Sequence, residues 1–223
     1  MRETFQYQNN AGNFWNDDEN IKWFRDEPSP QYLVDFLKEN ANKNKIALDL
    51  GCGAGRNTEV LFNFNYNTYA CDLHQNMVTA TKERLIKAGI NQEIINNQVN
   101  QGDMLSLKFP NNFFDVVVCN GVFHNAYNLD ELNQAISEVS RVLKNNGQLS
   151  FNLFSSECVD SFQQVGDSVY STKEDLIMTL VSSQEFKKMC HSHSLEPTID
   201  IVEYRREVTT GTRAVMRGIM IKK

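Results

Sequence analysis

The stretch Ala47-Leu48-Asp49-Leu50-Gly51-Cys52-Gly53-Ala54-Gly55-Arg56-Asn57 runs from an apolar strand into three glycines on alternate positions and then into a helix. Bare glycine backbone at such a place lets a ligand lie against the main chain, and the first N–H groups of the helix are left free to bind its oxygen atoms. A dinucleotide fingerprint would need a glycine five residues after Gly51, where this chain has Arg56, so NAD and FAD are disfavoured. Asp72 follows Gly51 by 21 residues at the end of the next apolar run. That matches the ~20 residues expected of a carboxylate that accepts from ribose hydroxyls. A second acid, Asp103 in Gln101-Gly102-Asp103-Met104, follows a weaker third run and could accept from an adenine amino group. Three loops thus converge on an adenosine-like ligand.

Loops can converge only if a sheet delivers them to one edge. From Lys45 the chain alternates short apolar runs with helical segments, the pattern of βαβ units around a parallel sheet. The expected strands are Ile46–Leu50, Asn67–Cys71, a weak one near Glu93–Val99, Phe114–Cys119 and Gln148–Phe154. Helices are expected at Asn57–Asn63, Asn76–Ala88 and Leu129–Leu143, the last with Leu129, Leu132, Ile136, Val139 and Leu143 on one face. Ser155–Tyr170 is polar and reads as a long connection. Ser182 and Glu185 form a capping-box pattern ahead of a helix to His193. Thr198–Val208 and Arg213–Ile221 then alternate around Thr209-Thr210-Gly211-Thr212, as a terminal antiparallel hairpin would. The segment up to Lys43 is rich in aromatics, with Tyr32, Leu33, Phe36 and Leu37 on one helical face, and reads as a cap.

On four elements in order, the sequence resembles the class I S-adenosylmethionine-dependent methyltransferases: the Leu48–Asn57 glycine loop, Asp72, Gly102-Asp103-Met104, and the run Phe114–His124. A looser likeness to the tellurite-resistance-type branch rests on Gly55-Arg56-Asn57 and on the ending Met216–Lys223. The resemblance covers Lys45 to Phe154. It implies a Rossmann-like, doubly wound α/β fold with a seven-stranded, mostly parallel sheet, an antiparallel C-terminal hairpin and an N-terminal helical cap. Residues 1–43 would form the cap and 44–223 the methyltransferase domain. The cofactor would be S-adenosyl-L-methionine, its methionine part against the Gly51–Gly55 loop, its ribose on Asp72, and its adenine between Leu73 and Asp103-Met104. Asn120 would meet the methionine end. The full cofactor-binding set is expected to be Asp49, Gly51, Cys52, Gly53, Gly55, Asn57, Asp72, Leu73, Asp103, Met104 and Asn120.

Methyl transfer is an in-line displacement on an already activated sulfonium, so alignment and water exclusion can supply most of the catalysis. A base would help with a hydroxyl or ammonium acceptor, and His124 and Tyr127, on the loop after the fourth strand, are the catalytic candidates. Trp15 in the cap, Asn125 and Arg213 are expected at the substrate. Arg213 is expected at the rim, where a guanidinium would suit one carboxylate or phosphate.

The chain has 223 residues, 41% of them hydrophobic and 22% charged, which excludes disorder and allows one domain with a small appendage. A net charge of −6 disfavours nucleic acid as a partner, because phosphate neutralisation needs a basic face. No apolar run reaches the ~18 residues of a membrane span, and Met1–Gln6 is too polar for a signal peptide, so the protein is expected in the cytoplasm. Five scattered cysteines suggest neither a disulfide framework nor a metal site, and no metal is expected. The expected partner is a small-molecule substrate, with no membrane; the sequence leaves the oligomeric state and the acceptor open. The alternatives are a ligand-binding or regulatory protein that kept the adenosine site but lost turnover, and a tRNA or protein methyltransferase.

Overall fold

The computed structural model describes residues 10–208 and 211–223. Its main sheet begins with β1 (Ile46–Leu50), β2 (Asn67–Asp72), β3 (Val99–Gln101), β4 (Phe114–Asn120) and β5 (Leu143–Phe154). It is completed by β9 (Leu195–Pro197), β10 (Val202–Val208) and β11 (Gly211–Lys222). The strand order is β10-β11-β5-β4-β1-β2-β3, with β9 added beside β11. β1 to β5 run parallel, and β11 enters antiparallel between β5 and β10. This is the expected mostly parallel sheet with its terminal hairpin. Thr209 and Thr210 of the expected turn lie outside the described residues; Val208 and Gly211 pair across it.

Strand parity explains how both faces are covered. On β1 and β4, Leu48, Leu50, Val117 and Cys119 point into a cluster with Leu132, Ile136 and Val139 of α6 (Leu129–Val142) and Phe186 of α7 (Ser183–Ser192). Ala47, Val116 and Val118 point the other way, onto Leu33 and Leu37 of α2 (Gln31–Glu39) and Leu61 of α3 (Arg56–Asn63). α4 (Gln75–Lys87) and α5 (Gln92–Gln98) cover β2 and β3 through Val78, Leu85 and Ile95. A parallel sheet buried on both faces reads as continuous apolar runs, as β1 and β4 do. α1 (Asp18–Asp26), capped by the Asp17 side chain, lays Ile21 on Ala54, Met77 and Ala80. Residues 10–15 ahead of it are helical.

Three expectations change. The weak strand near Glu93–Val99 is instead α5, whose N-cap Asn91 accepts from the Glu93 and Ile94 N–H groups, and β3 is the three-residue remnant after it. The polar stretch Ser155–Tyr170 is not a plain connection. It starts a second, antiparallel sheet of β6 (Gln163–Gly166), β7 (Val169–Ser171) and β8 (Ile177–Thr179). Thr179 ties that sheet to the core by donating from Oγ1 to the Ala126 carbonyl at 2.7 Å. Finally, β5 begins at Leu143, as soon as α6 ends at Val142, rather than at Gln148, and shows a register shift against β4. The Ser182/Glu185 capping box is present on α7.

Candidate functional site

The carboxyl ends of β1, β2, β3, β4 and β5 open onto one cavity of about 650 Å³, within the ~300–1,000 Å³ usual for small-molecule sites. The glycine loop forms its floor. Gly51 and Cys52 both donate their N–H to the Cys71 carbonyl, at 2.8 and 3.0 Å, which hooks the loop onto the end of β2. α3 then starts after Gly55 with no side-chain cap, leaving its first amides available to a ligand.

Asp72 is the latch of this floor. Its Oδ2 accepts from the Gly53 N–H and its Oδ1 from the His74 N–H, both at 2.9 Å, and each oxygen keeps a further lone pair for a hydroxyl. Burial pushes its pKa up, opposed by those N–H bonds. The third loop comes close because residue 102 is glycine: a Cβ there would stand 2.9 Å from Cys71 Cβ. Asp103 Oδ1 accepts from the Leu105 N–H at 2.8 Å, an Asx-type turn that fixes the loop. Beside it Leu73, at 54% exposure, leaves an apolar side chain bare on the wall.

Asp49 lies under this floor rather than on the cavity wall. It is fully buried; its Oδ2 accepts from Thr58 Oγ1 at 2.6 Å, and its Oδ1 has no partner among the described residues. Burial raises its pKa from 3.8 to about 6, against the lowering pull of Thr58 and Arg56. A carboxyl raised on folding favours the folded state most when protonated. Stability contributed here is therefore greatest at low pH and is lost as pH rises between about 4 and 6. Wild type should thus gain melting temperature relative to Asp49→Asn as pH falls from 7 to 4, as thermal melts would read. A pH-independent difference would refute the buried, raised carboxyl.

The other end of the cavity is built by β4 and β5. Asn120 and Asn152 are register partners at the ends of these strands, and both meet Tyr32 of α2. The Tyr32 hydroxyl donates to Asn120 Oδ1 at 3.3 Å and accepts from Asn152 Nδ2 at 3.0 Å. Asn120 Nδ2 is left buried and without a partner among the described residues. After β4 comes a 3₁₀ turn (Phe123–Asn125) that presents His124 and Asn125 to the cavity, with Tyr127 just beyond it. Asn125 Nδ2 donates to the Gly121 carbonyl at 2.9 Å. His124 Nδ1 accepts from the Phe154 N–H at 3.2 Å, and burial followed by the nearby Arg213 charge lowers its pKa to about 3. Burial raises the Tyr127 hydroxyl above its usual range, with Glu131 adding to the shift.

Gly51, Cys52, Gly53, Asn57, Asp72, Leu73, Asp103, Met104, Asn120, His124, Asn125, Tyr127 and Trp15 all line the cavity. Asp49, Gly55 and Arg213 are not on its wall. Arg213, expected at the rim, is fully buried, its guanidinium 4.1 Å over the Phe162 ring and 5.9 Å from that of Phe154. The arginine that does line the cavity on this hairpin is Arg206, its register partner on the edge strand. Phe14, Trp23 and Phe24 join Trp15 as a roof, with Trp15 stacked 6.4 Å from His74. Sequence reasoning missed Asn152 and Phe154, although alternate residues at the end of the strand beside Asn120 were a legible signal. It also missed Leu176, just ahead of β8, and Met178 within it. Among the described residues no group of His, Cys, Asp and Glu could hold a metal ion, and no helix is long and apolar enough to cross a membrane.

Residues 48–151 match the family model described as a methyltransferase domain. The fold is similar to that of the Burkholderia thailandensis 1,6-didemethyltoxoflavin-N1-methyltransferase, solved with 1,6-didemethyltoxoflavin and S-adenosylhomocysteine. The TM-score is 0.69 and the identity 14%, over 98% of this chain and 87% of that one. A Clostridium acetobutylicum S-adenosylmethionine-dependent methyltransferase aligns with TM-score 0.65 and 20% identity, over 90% and 95% of the two chains. The [4+2]-cyclase SpnF aligns with TM-score 0.61 and 15% identity, over 86% and 80%. No curated protein matches the chain by sequence. The matched stretch begins on β1 and ends on β5, and so spans every loop of the cavity floor; the chain carries a methyltransferase domain over residues 48–151, on a fold similar to that of S-adenosylmethionine-dependent methyltransferases.

Proposed function

We propose that this enzyme methylates a small molecule held between its cofactor and the aromatic roof. The carrying observation is that one cavity is lined both by the glycine loop and by Phe154, Leu176, Met178 and Tyr204, with Trp15 and Trp23 also on its wall. A macromolecular substrate needs an open groove, and the charge of −6 gives no basic track for nucleic acid. The similar Burkholderia enzyme was solved with a small heterocycle in place, which supports the same class of acceptor. Five free, buried thiols suit a reducing compartment such as the cytoplasm.

The residues present fit the cofactor. Gly53 has no neighbour within 4 Å of where its Cβ would stand, the first amides of α3 are uncapped, and Asn120 Nδ2 is an orphaned buried donor. S-adenosylmethionine, when bound, supplies an electrophilic methyl group on a sulfonium, which needs no further activation. Asp72 would hold the ribose hydroxyls, Leu73 and the Asp103 loop the base, and Gly53 with Asn120 the amino-acid end. Burial keeps the His124 imidazole uncharged and the Tyr127 phenol protonated at neutral pH, and a pKa lowered to about 3 makes His124 a weak proton acceptor. The chain contributes alignment and exclusion of water, the latter from the roof ahead of Pro30.

The test is transfer of labelled methyl groups from S-adenosylmethionine into a small-metabolite extract, a tRNA fraction and a protein fraction. Label should enter the small molecules alone; label in tRNA or protein would overturn the acceptor class. Replacing Asp72 by Ala should weaken S-adenosylhomocysteine binding about ten- to a hundredfold, or ~1.5–3 kcal/mol, because the ribose loses a charged acceptor. Calorimetry showing unchanged affinity would remove Asp72 from the cofactor site.

A further inference from the structure

His124 is only 4% exposed, yet it lines the cavity. Its ring stacks on Phe154, centroids 4.3 Å apart and planes 20° from parallel, so its orientation is fixed. Nδ1 accepts the Phe154 N–H. In a neutral imidazole the other nitrogen must then carry the proton, which makes Nε2 a donor. Nε2 makes no hydrogen bond among the described residues and is not one of their fully buried polar atoms, so it opens onto the cavity, where a substrate that covers it without offering an acceptor forfeits about 1–3 kcal/mol. The wall of the same cavity carries the apolar side chains of Phe154, Leu176, Met178 and Val215 among polar ones such as Asn125, Thr172 and Tyr204. Arg213 places positive charge beyond the Phe154 ring.

From this geometry we propose that His124 is a specificity-determining hydrogen-bond donor whose Nε2–H selects a flat, largely apolar methyl acceptor bearing a carbonyl or anionic oxygen. The proposal rests on the small-molecule reading above and narrows it. A donor locked into one tautomer, with a cation behind it, rewards an oxygen lone pair and penalises a substrate that leaves the donor dry. The flat body follows from the Phe154 face and the aliphatic walls beside it. Other titratable groups on this part of the wall are Tyr127 and Glu131, after the 3₁₀ turn, and Tyr204 and Arg206 on β10. His124 itself stays neutral, so its selection persists across the physiological pH range.

The test uses the full chain saturated with S-adenosylhomocysteine, and coumarin, 1-naphthoate and naphthalene as probes. Calorimetry should show coumarin and 1-naphthoate binding about tenfold or more tightly than naphthalene in wild type. That preference should vanish in His124→Leu and survive in His124→Gln, whose amide still donates. S-adenosylhomocysteine affinity should stay within about twofold in all three proteins, which reports that the variants are folded. Imidazole ¹⁵N spectra should place the His124 proton on Nε2 with no titration from pH 8 to 5. Equal binding of the probes, no binding of any probe, a preference that persists in His124→Leu, or a ring that titrates near pH 6.5 would each overturn the proposal. Failure of S-adenosylhomocysteine to bind wild type would instead overturn the reading of the site on which it rests.

Discussion

A chain that begins at Pro30 should fold, and one that begins at Asn44 should not. The difference is α2. Leu33 and Leu37 are fully buried against Ala47, Leu61, Val116 and Val118, with Tyr32 and Phe36 packed at the margin. Removing them strips the cover from one face of β1 and β4, where the loss of a single buried leucine side chain already costs about 2–5 kcal/mol. Two such losses equal the stability of an ordinary domain, ~5–15 kcal/mol. Residues ahead of Pro30 are attached differently. Only Ile21 among the described ones is buried, with Trp15 and Phe24 packed beside it, and the polar ties are Glu27 to Arg56 at 3.2 Å and to Arg206 at 3.4 Å, Arg25 to Glu83 at 3.0 Å, Ser29 to Asn57 at 3.0 Å, and bonds from Arg84, Arg56 and Asn76 to the carbonyls of Arg25, Pro28 and Asn16 at 2.8, 3.3 and 3.2 Å. Such partly exposed pairs contribute ~0–1 kcal/mol each. The shorter deletion should therefore keep a cooperative thermal transition while weakening S-adenosylhomocysteine binding about tenfold or more, since Phe14, Trp15, Trp23 and Phe24 leave the cavity. The longer deletion should show no cooperative transition. A native-like melt from the chain starting at Asn44 would demote α2 from core to appendage, and unchanged cofactor affinity in the shorter deletion would end the roof's role.

The same contrast shows what the sequence could and could not reveal. Ile46–Leu50 and Phe114–Asn120 were legible because a strand buried on both faces is apolar at successive positions, and the glycines after β1 mark where the main chain must bend and lie bare. β3 is three residues long, too short for any period, and the Asn91 cap turned the residues before it into a helix. The second sheet escaped because β6 is exposed throughout, so it carries no apolar alternation. Arg213 was misplaced for a topological reason. It pairs with Arg206, so both stand on the same face of the sheet, but β11 lies inside it and β10 at its edge. The side chain on the inner strand is covered by Phe154 and Phe162, and the one on the edge strand reaches the cavity. The tautomer of His124 could not be read in advance, because it depends on the main chain of Phe154, thirty residues away.

Gly51 and Gly53 should fail in opposite ways when each is replaced by Ala. Both have positive φ, 67° and 53°, so either substitution carries backbone strain of about 1 kcal/mol or more. Their surroundings differ. A Cβ on Gly51 would stand 2.2 Å from Val122 Cγ2, whereas one on Gly53 would meet nothing within 4 Å. At Gly51 the methyl group must displace Val122 or unhook the loop from the Cys71 carbonyl, which adds overpacking of ~1–3 kcal/mol to the strain. Gly51→Ala should thus lose about 2–4 kcal/mol of stability in denaturant unfolding, and affinity with it, because Val122 and the hook both border the cavity. At Gly53 the empty space is the cavity itself, and the N–H of this residue is held by Asp72. Gly53→Ala should therefore fold with only the strain cost and still lose S-adenosylhomocysteine binding by about a hundredfold, since a methyl group takes the place of cofactor against bare backbone. If Gly53→Ala binds S-adenosylhomocysteine as wild type does, the cofactor does not lie on that face of the loop. Equal stability of Gly51→Ala and wild type would show that the contact with Val122 can relax without cost.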